Sequence, residues 1–218
     1  MDLSASKTTL THAIDITVPM GPCLVVYPGD TPPVVRRIGS IAQGAPLTAS
    51  EIAIGCHVGT HVDAPAHFIS DGRTVYQLPL RHFYGPAVVV EFLSVDRITA
   101  DEVSRAAIPP GRHVLLKTRN SELLTQSRFS PDYCYLTPQA AELLLTLQPL
   151  SLGFDYYSLD PPGECAFPAH HLIARAGLPA FVCLNLKHVE PGVYTFVALP
   201  LPLAGVEAVP VRAVLFPA

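Results

Sequence analysis

A mixed α/β domain is the fold this sequence predicts, and three observations predict it. Short runs rich in Val, Ile, Leu and Phe recur along the chain, capped helical segments fall between some of them, and the 23 Pro are spread as loop punctuation. The 218 residues suit one domain, 1–218, with enough length for a full core. No internal repeat, charge block or low-complexity tract divides it.

Ala87–Leu93 is the first strand run, carried by β-branched Val. Thr99 then caps a helix with Asp101 and Glu102 in its first turn, where negative charge meets the positive end of the helix dipole. His113–Lys117 is the next strand. Thr137 caps a second helix, with Pro138 at the first helical position, where a missing N–H costs nothing, and Ala140, Ala141, Glu142, Leu143, Leu144 and Leu145 following. Leu150–Phe154 returns to strand character. Ala169–Ala176 is a short third helix, closed by Gly177 and Pro179. Ala180–Leu186, Val193–Ala198 and Val209–Phe216 complete the strands.

Composition excludes several function classes. A net charge of −4 leaves no basic footprint for nucleic acid, and no apolar run approaches bilayer length. Met1–Met20 carries Asp2, Lys7 and Asp15 and lacks the apolar core of a signal peptide, so a soluble cytoplasmic protein with no membrane partner is expected. The five cysteines (Cys23, Cys56, Cys134, Cys165, Cys183) are odd in number, scattered and without a Cys-x-x-Cys pair, which argues against a disulfide framework or a thiolate zinc knuckle. Cys56 adjoins His57, but neighbours in extended chain face opposite ways, against a Cys–His nucleophile. No Gly-x-Ser-x-Gly elbow, Gly-rich phosphate loop or dinucleotide fingerprint occurs.

The chemistry concentrates in His57-Val58-Gly59-Thr60-His61-Val62-Asp63-Ala64-Pro65-Ala66-His67, where three imidazoles and a carboxylate stand among small or apolar residues. Imidazole nitrogen and carboxylate oxygen are ligands that a divalent ion such as zinc prefers. Four extended residues span roughly 13 Å, too far for His57 and His61 to reach one ion about 2 Å from each. The backbone must therefore turn between them, at the permissive Gly59, and Pro65 stiffens the path to His67. A divalent ion with three protein ligands and an open position lowers the pKa of water and polarises a carbonyl, and an imidazole titrating near neutrality, His67, suits the proton transfers. His82, His113 and His188 have no partner at ligand spacing and are expected to be structural.

This segment resembles the signature of the cyclase family, which includes bacterial kynurenine formamidase. Val26-Tyr27-Pro28-Gly29-Asp30-Thr31-Pro32, Ser158-Leu159-Asp160-Pro161, Ala169-His170-His171, Ala198-Leu199-Pro200-Leu201 and Pro210-Val211-Arg212-Ala213-Val214 are similar to further family stretches in the same order, so the likeness runs from Ile14 to Leu215. It implies a swivelling β/β/α-type fold, a mixed barrel-like sheet flanked by helices, assembled as a homodimer or homotetramer. It implies also that His57, His61 and Asp63 hold a first metal, that Asp63 bridges to a second with His170 as ligand, and that His67 is the general acid/base.

One position departs from the pattern. Formamidase-like members carry a Glu twelve residues beyond the His170 position; here that residue is Val182, which ligates nothing. Cys183 beside it faces the other way in a strand unless a bulge turns it. A firmly held first ion and a weak or absent second are expected, zinc ahead of manganese. His170 stays open between a metal ligand, a polar role toward substrate and a helix cap. Tyr27, at the formamidases' aromatic substrate position, either stacks on an aromatic ligand or fills its own core. Asp30 reads as a turn residue. Tyr156 and Tyr157 stand where formamidases have small residues and would reshape the pocket.

The expected function is thus a metal-dependent hydrolase of an amide, an aryl formamide such as N-formylkynurenine, or a lactone, working on a small aromatic substrate through a metal-activated water with His67 as general acid/base. The alternative on the same scaffold is a lyase or cyclase in a biosynthetic pathway, with the ion as Lewis acid. A non-catalytic binding protein would not require His57, His61, Asp63 and His67 together.

Overall fold

The apolar runs assemble into one nine-stranded mixed sheet, curled as a half-barrel, with few helices. The computed structural model describes residues 13–21 and 24–218; Cys23 and the first twelve residues lie outside that range. The strands are β1 (Ile14–Asp15), β2 (Val34–Gly39), β3 (Ala49–Ala53), β4 (His61–Asp63), β5 (Tyr84–Phe92), β6 (Arg97–Ile98), β7 (His113–Thr118), β8 (Tyr135–Leu136), β9 (Ser151–Phe154), β10 (Ala180–Val182), β11 (Gly192–Val197), β12 (Ala208–Pro210) and β13 (Val214–Pro217). The helices are α1 (Ala100–Arg105), α2 (Asn120–Leu123), α3 (Pro138–Thr146) and α4 (Pro168–Arg175). The main sheet runs β1-β13-β11-β5-β7-β9-β10-β4-β12. Its centre, β5-β7-β9-β10, is parallel, and both flanks are antiparallel. No helix among the described residues is long and apolar enough to cross a membrane.

Both faces of the central strands are covered, which is why their sequences are apolar without alternation. In β7, Val114 and Leu116 join Val88, Leu152 and Phe154 under the helices, whereas Leu115 joins Val89, Phe181 and Phe196 on the other face. Helix α1 begins as its sequence requires: Thr99 Oγ1 accepts from the Glu102 amide and the Glu102 carboxylate returns to the Thr99 amide, a reciprocal cap. Thr137 caps α3 one way only, its hydroxyl accepting from the Ala140 amide, with Pro138 in the first turn. Ala140, Ala141 and Leu144 form its buried face.

Two expected strands are corrected. Ala180–Leu186 ends as a strand at Val182, because Cys183 adopts a left-handed backbone (φ 54°) and its amide turns to the Tyr156 carbonyl. Val209–Phe216 is two strands on opposite flanks of the sheet. Pro210 has no N–H to extend β12, and the Val211 amide bonds Thr60 instead of a strand partner, so the chain crosses to β13.

His113 and His82 are structural, as their spacing implies. His113 is fully buried, its Nδ1 2.7 Å from Ser151 Oγ across the β7–β9 pair, and His82 Nδ1 donates to the Leu150 carbonyl at 2.5 Å. Burial pushes His113 down to about 4. The unfolded chain then binds a proton that the native state refuses between pH 6.5 and about 4. Its stabilisation is full above pH 6.5 and is lost as pH falls toward 4, a cost of order 3 kcal/mol at about 1.36 kcal/mol per unit. Denaturant titrations at pH 7 and pH 4.5 should show His113→Gln losing less stability on acidification than wild type.

Candidate metal centre and its cavity

The His57–His67 segment turns as its length demands. Gly59 has φ 66°, and residues 57–60 form a tight turn that leads directly into β4. Thr60 pins this turn: its hydroxyl donates to the Cys183 carbonyl (2.6 Å) and accepts from the Val18 amide (2.8 Å). Strand alternation then does the sorting. Val62 points into the core, while His61 and Asp63 face the helix side. Beyond β4, Pro65 opens a 3₁₀ turn ending at His67.

Three donor atoms converge. His57 Nδ1 lies 3.0 Å and His61 Nε2 3.4 Å from Asp63 Oδ1, and the ligand atoms of the three residues all fall within 4.8 Å of one another. His61 Nδ1 donates to the Gly59 carbonyl at 2.7 Å, which leaves Nε2 with its lone pair toward the cluster. Asp63 Oδ1 is buried and, among the described residues, accepts no hydrogen bond of good geometry. A buried carboxylate oxygen without a proton donor, facing two imidazole nitrogens, is a seat for a cation. Burial alone would raise the Asp63 carboxyl, but the His61 and His57 imidazoles beside it hold it well below the usual carboxylate range. His57 is lowered by burial and raised by more by the Asp63 and Glu207 carboxylates, ending above its ordinary value.

His67 stacks on His57, ring centres 4.1 Å apart and planes tilted by 33°. Burial, reinforced by the neighbouring His57 and His170, lowers His67 below its ordinary value. It is therefore neutral at pH 7 and able to accept a proton. The turn that carries it rests on Gly72, where a Cβ would stand 2.6 Å from the Pro65 carbonyl carbon and 2.7 Å from the Ala66 amide nitrogen. Gly72→Ala must displace that turn. A shift approaching 1 Å should lower kcat by up to about 100-fold, measured beside an unchanged metal content.

His170 stands outside the three-residue cluster. Asp160 governs it: one carboxylate oxygen accepts from the Ala169 amide (2.8 Å), the other from the His170 amide (3.2 Å) and His170 Nδ1 (2.5 Å). Asp160 thus caps α4, and His170 does not. Val182 lies directly across the β10–β4 pair from His61, on the same face, fully buried among apolar neighbours. The position reaches the site; the side chain offers it no ligand atom.

These residues floor a cavity of about 220 Å³ lined by Tyr27, Asp30, Phe68, Tyr157, Ser158 and Phe167 together with His57, His61, Asp63, His67 and His170. Tyr27 packs edge-on against Phe129 at 5.2 Å and lies 6.4 Å from Tyr157. Of the adjacent tyrosines, only Tyr157 lines the cavity, its hydroxyl donating to the Val25 carbonyl at 2.7 Å. Tyr156 is fully buried and bonds Ser130, so the expectation that both rings shape the pocket is corrected. Asp30 both closes its turn, through its amide on the Tyr27 carbonyl, and faces the cavity. Sequence reasoning missed two residues. Asp160 was visible only as part of a matching stretch, and Glu207, whose Oε1 lies 3.1 Å from His57 Nε2, is 150 residues from its partner and gave no local signal.

The sequence profile of the Cyclase family matches residues 14–161. The chain is 34% identical over 202 residues to the kynurenine formamidase of Geobacillus thermodenitrificans (strain NG80-2), covering 93% of this chain and 96% of that one. A solved structure described as a potential metal-dependent hydrolase with cyclase activity superposes with a TM-score of 0.81 at 32% identity, covering 94% of this chain and 97% of the other. Isatin hydrolase A from Ralstonia solanacearum shares the fold, with a TM-score of 0.83 at 24% identity over 95% of this chain and 92% of its own.

Proposed function

This chain is an enzyme of the cyclase family, and from that premise we propose that it is a metal-dependent hydrolase that cleaves an amide bond attached to an aromatic ring, an aryl formamide being the leading substrate. The observation that carries the proposal is the convergence of His57 Nδ1, His61 Nε2 and Asp63 Oδ1 at the floor of an aromatic-walled cavity. The formamidase relative supports the substrate class, and the metal-dependent hydrolase neighbour supports the need for an ion.

The three residues fit a divalent ion, zinc first and manganese second, which when bound supplies carbonyl polarisation and a more acidic water. His67, neutral at pH 7, takes the proton of the attacking water on a ring nitrogen and returns it to the leaving amine. Tyr27, Phe68, Tyr157 and Phe167 hold the aryl ring and exclude bulk water. His170, tied by Nδ1 to Asp160, keeps Nε2 for the substrate; with Val182 opposite His61 we assign one ion per chain. Val182 also sustains the second reading, a lyase or cyclase. Incubating the zinc-loaded protein with an aryl formamide in ¹⁸O-water separates the two. Label in the released formate supports hydrolysis. Absence of turnover on aryl formamides, lactones and cyclic amides would sink it.

The working unit we propose is a homodimer in the cytoplasm. Cys56, Cys134, Cys165 and Cys183 are all free thiols, which suits a reducing compartment. Among the described residues the β2–β3 hairpin pairs with no other strand, and it exposes Val34, Val35, Ile38 and Ile52 by 54–67%. A lone two-stranded hairpin is marginal in water, and an apolar surface of this kind is covered by a partner. A monomeric mass by light scattering would refute the dimer.

A further inference from the structure

We infer that Glu207 is a positioning residue: it holds His57 in the orientation and tautomer that an ion at His57, His61 and Asp63 requires. The inference rests on the metal-centre reading above. An imidazole offers one lone pair to a metal while its other nitrogen carries a proton, and that N–H needs an acceptor. His61 meets the requirement locally, with Nδ1–H on the Gly59 carbonyl and Nε2 toward Asp63. His57 is oriented the opposite way. Its Nδ1 faces Asp63 Oδ1 at 3.0 Å, and its Nε2 faces Glu207 Oε1 at 3.1 Å. With the ion on Nδ1, the proton stays on Nε2 and is donated to Glu207. The carboxylate fixes the ring and makes Nδ1 a more basic ligand.

The fold delivers Glu207 to this place through its backbone. The Glu207 carbonyl accepts the Ala64 amide at 2.8 Å, and the next residue, Ala208, pairs with Asp63 in the β12–β4 register. The side chain is 40% exposed, against 24% for His57, and among the described residues the carboxylate pairs with no other group. Its removal therefore opens no void in the core and strands no buried charge. Its one polar contact is the imidazole.

The test loads Zn²⁺ or Co²⁺ into wild type, Glu207→Gln, Glu207→Ala and, as a control, His57→Ala. The readouts are affinity by chelator competition and the visible absorption of the Co²⁺ forms. Glu207→Ala is expected to bind each ion about 10- to 100-fold more weakly, with an altered Co²⁺ spectrum and a metal-free Tm equal to that of wild type. Glu207→Gln, which keeps an acceptor without the charge, should fall between. Wild-type affinity and spectrum in Glu207→Ala would overturn the inference and leave the metal centre standing. Failure of wild type itself to bind either ion more tightly than His57→Ala would overturn both. Should the Ala variant fold poorly, the isosteric Gln variant decides by the same two readouts.

Discussion

Asp63→Asn is expected to abolish the metal centre while leaving the fold intact. Asp63 is the anionic member of the cluster, and its Oδ1 is the atom on which both imidazole nitrogens converge. An amide oxygen in its place keeps the shape and loses the charge. The loss in affinity should exceed about 100-fold, the upper end of what removing an outer-sphere partner costs, and activity should fall with it. Elemental analysis of protein purified without added ions should give close to one equivalent for wild type and a small fraction of one for the variant. Chelation should reproduce the loss of activity in wild type and lower its Tm, because an ion that binds only the native state stabilises it. The metal-free proteins should melt at similar temperatures. If the Asn variant retains a full equivalent, the assignment of the ion to these three residues is wrong.

His67→Ala is the complementary experiment, in which chemistry is lost and metal is kept. His67 lies outside the trio of ligand atoms but stacks on His57 and lines the same cavity. Removing a general acid/base costs about 10²–10⁴ in kcat, so steady-state rates should drop by that factor at unchanged metal content and with a smaller change in KM. In wild type, burial lowers His67 below 6.5, so its base form persists into mildly acidic solution. A variant that loses metal together with activity would make His67 a ligand rather than a proton carrier.

The parts of the fold legible in the sequence were those that depend on neighbours along the chain. The caps at Thr99 and Thr137 act over three residues, and each closes as drawn. The turn at Gly59 followed from the reach of four residues alone. The core strands β5, β7 and β9 announced themselves through apolar runs that a doubly covered sheet tolerates, and β11 through alternation, with Tyr194 and Phe196 buried and Val193 exposed. The failures came where a long loop or a distant partner decides. The β2–β3 hairpin is joined by residues 40–48, a loop too long to read as a tight turn. Val209–Phe216 looks continuous until Pro210 and the Val211–Thr60 bond divide it between two flanks.

The same division runs through the candidate site. His57, His61, Asp63 and His67 fall within eleven residues, so the sequence by itself displayed the candidate ligands and the candidate base beside them, the need for a bend, and the absence of a carboxylate at Val182. Only the tertiary structure decided how the side chains of the site are held. Asp160 orients His170, Gly72 supports the turn beneath His67, Glu207 receives His57 Nε2, and Tyr157 but not Tyr156 faces the cavity. The reason is physical. Ligand types and short spacings are properties of a local peptide, whereas the orientation of an imidazole depends on the group at its second nitrogen. For His57, that group arrives from the far end of the chain, through the pairing of β12 with β4.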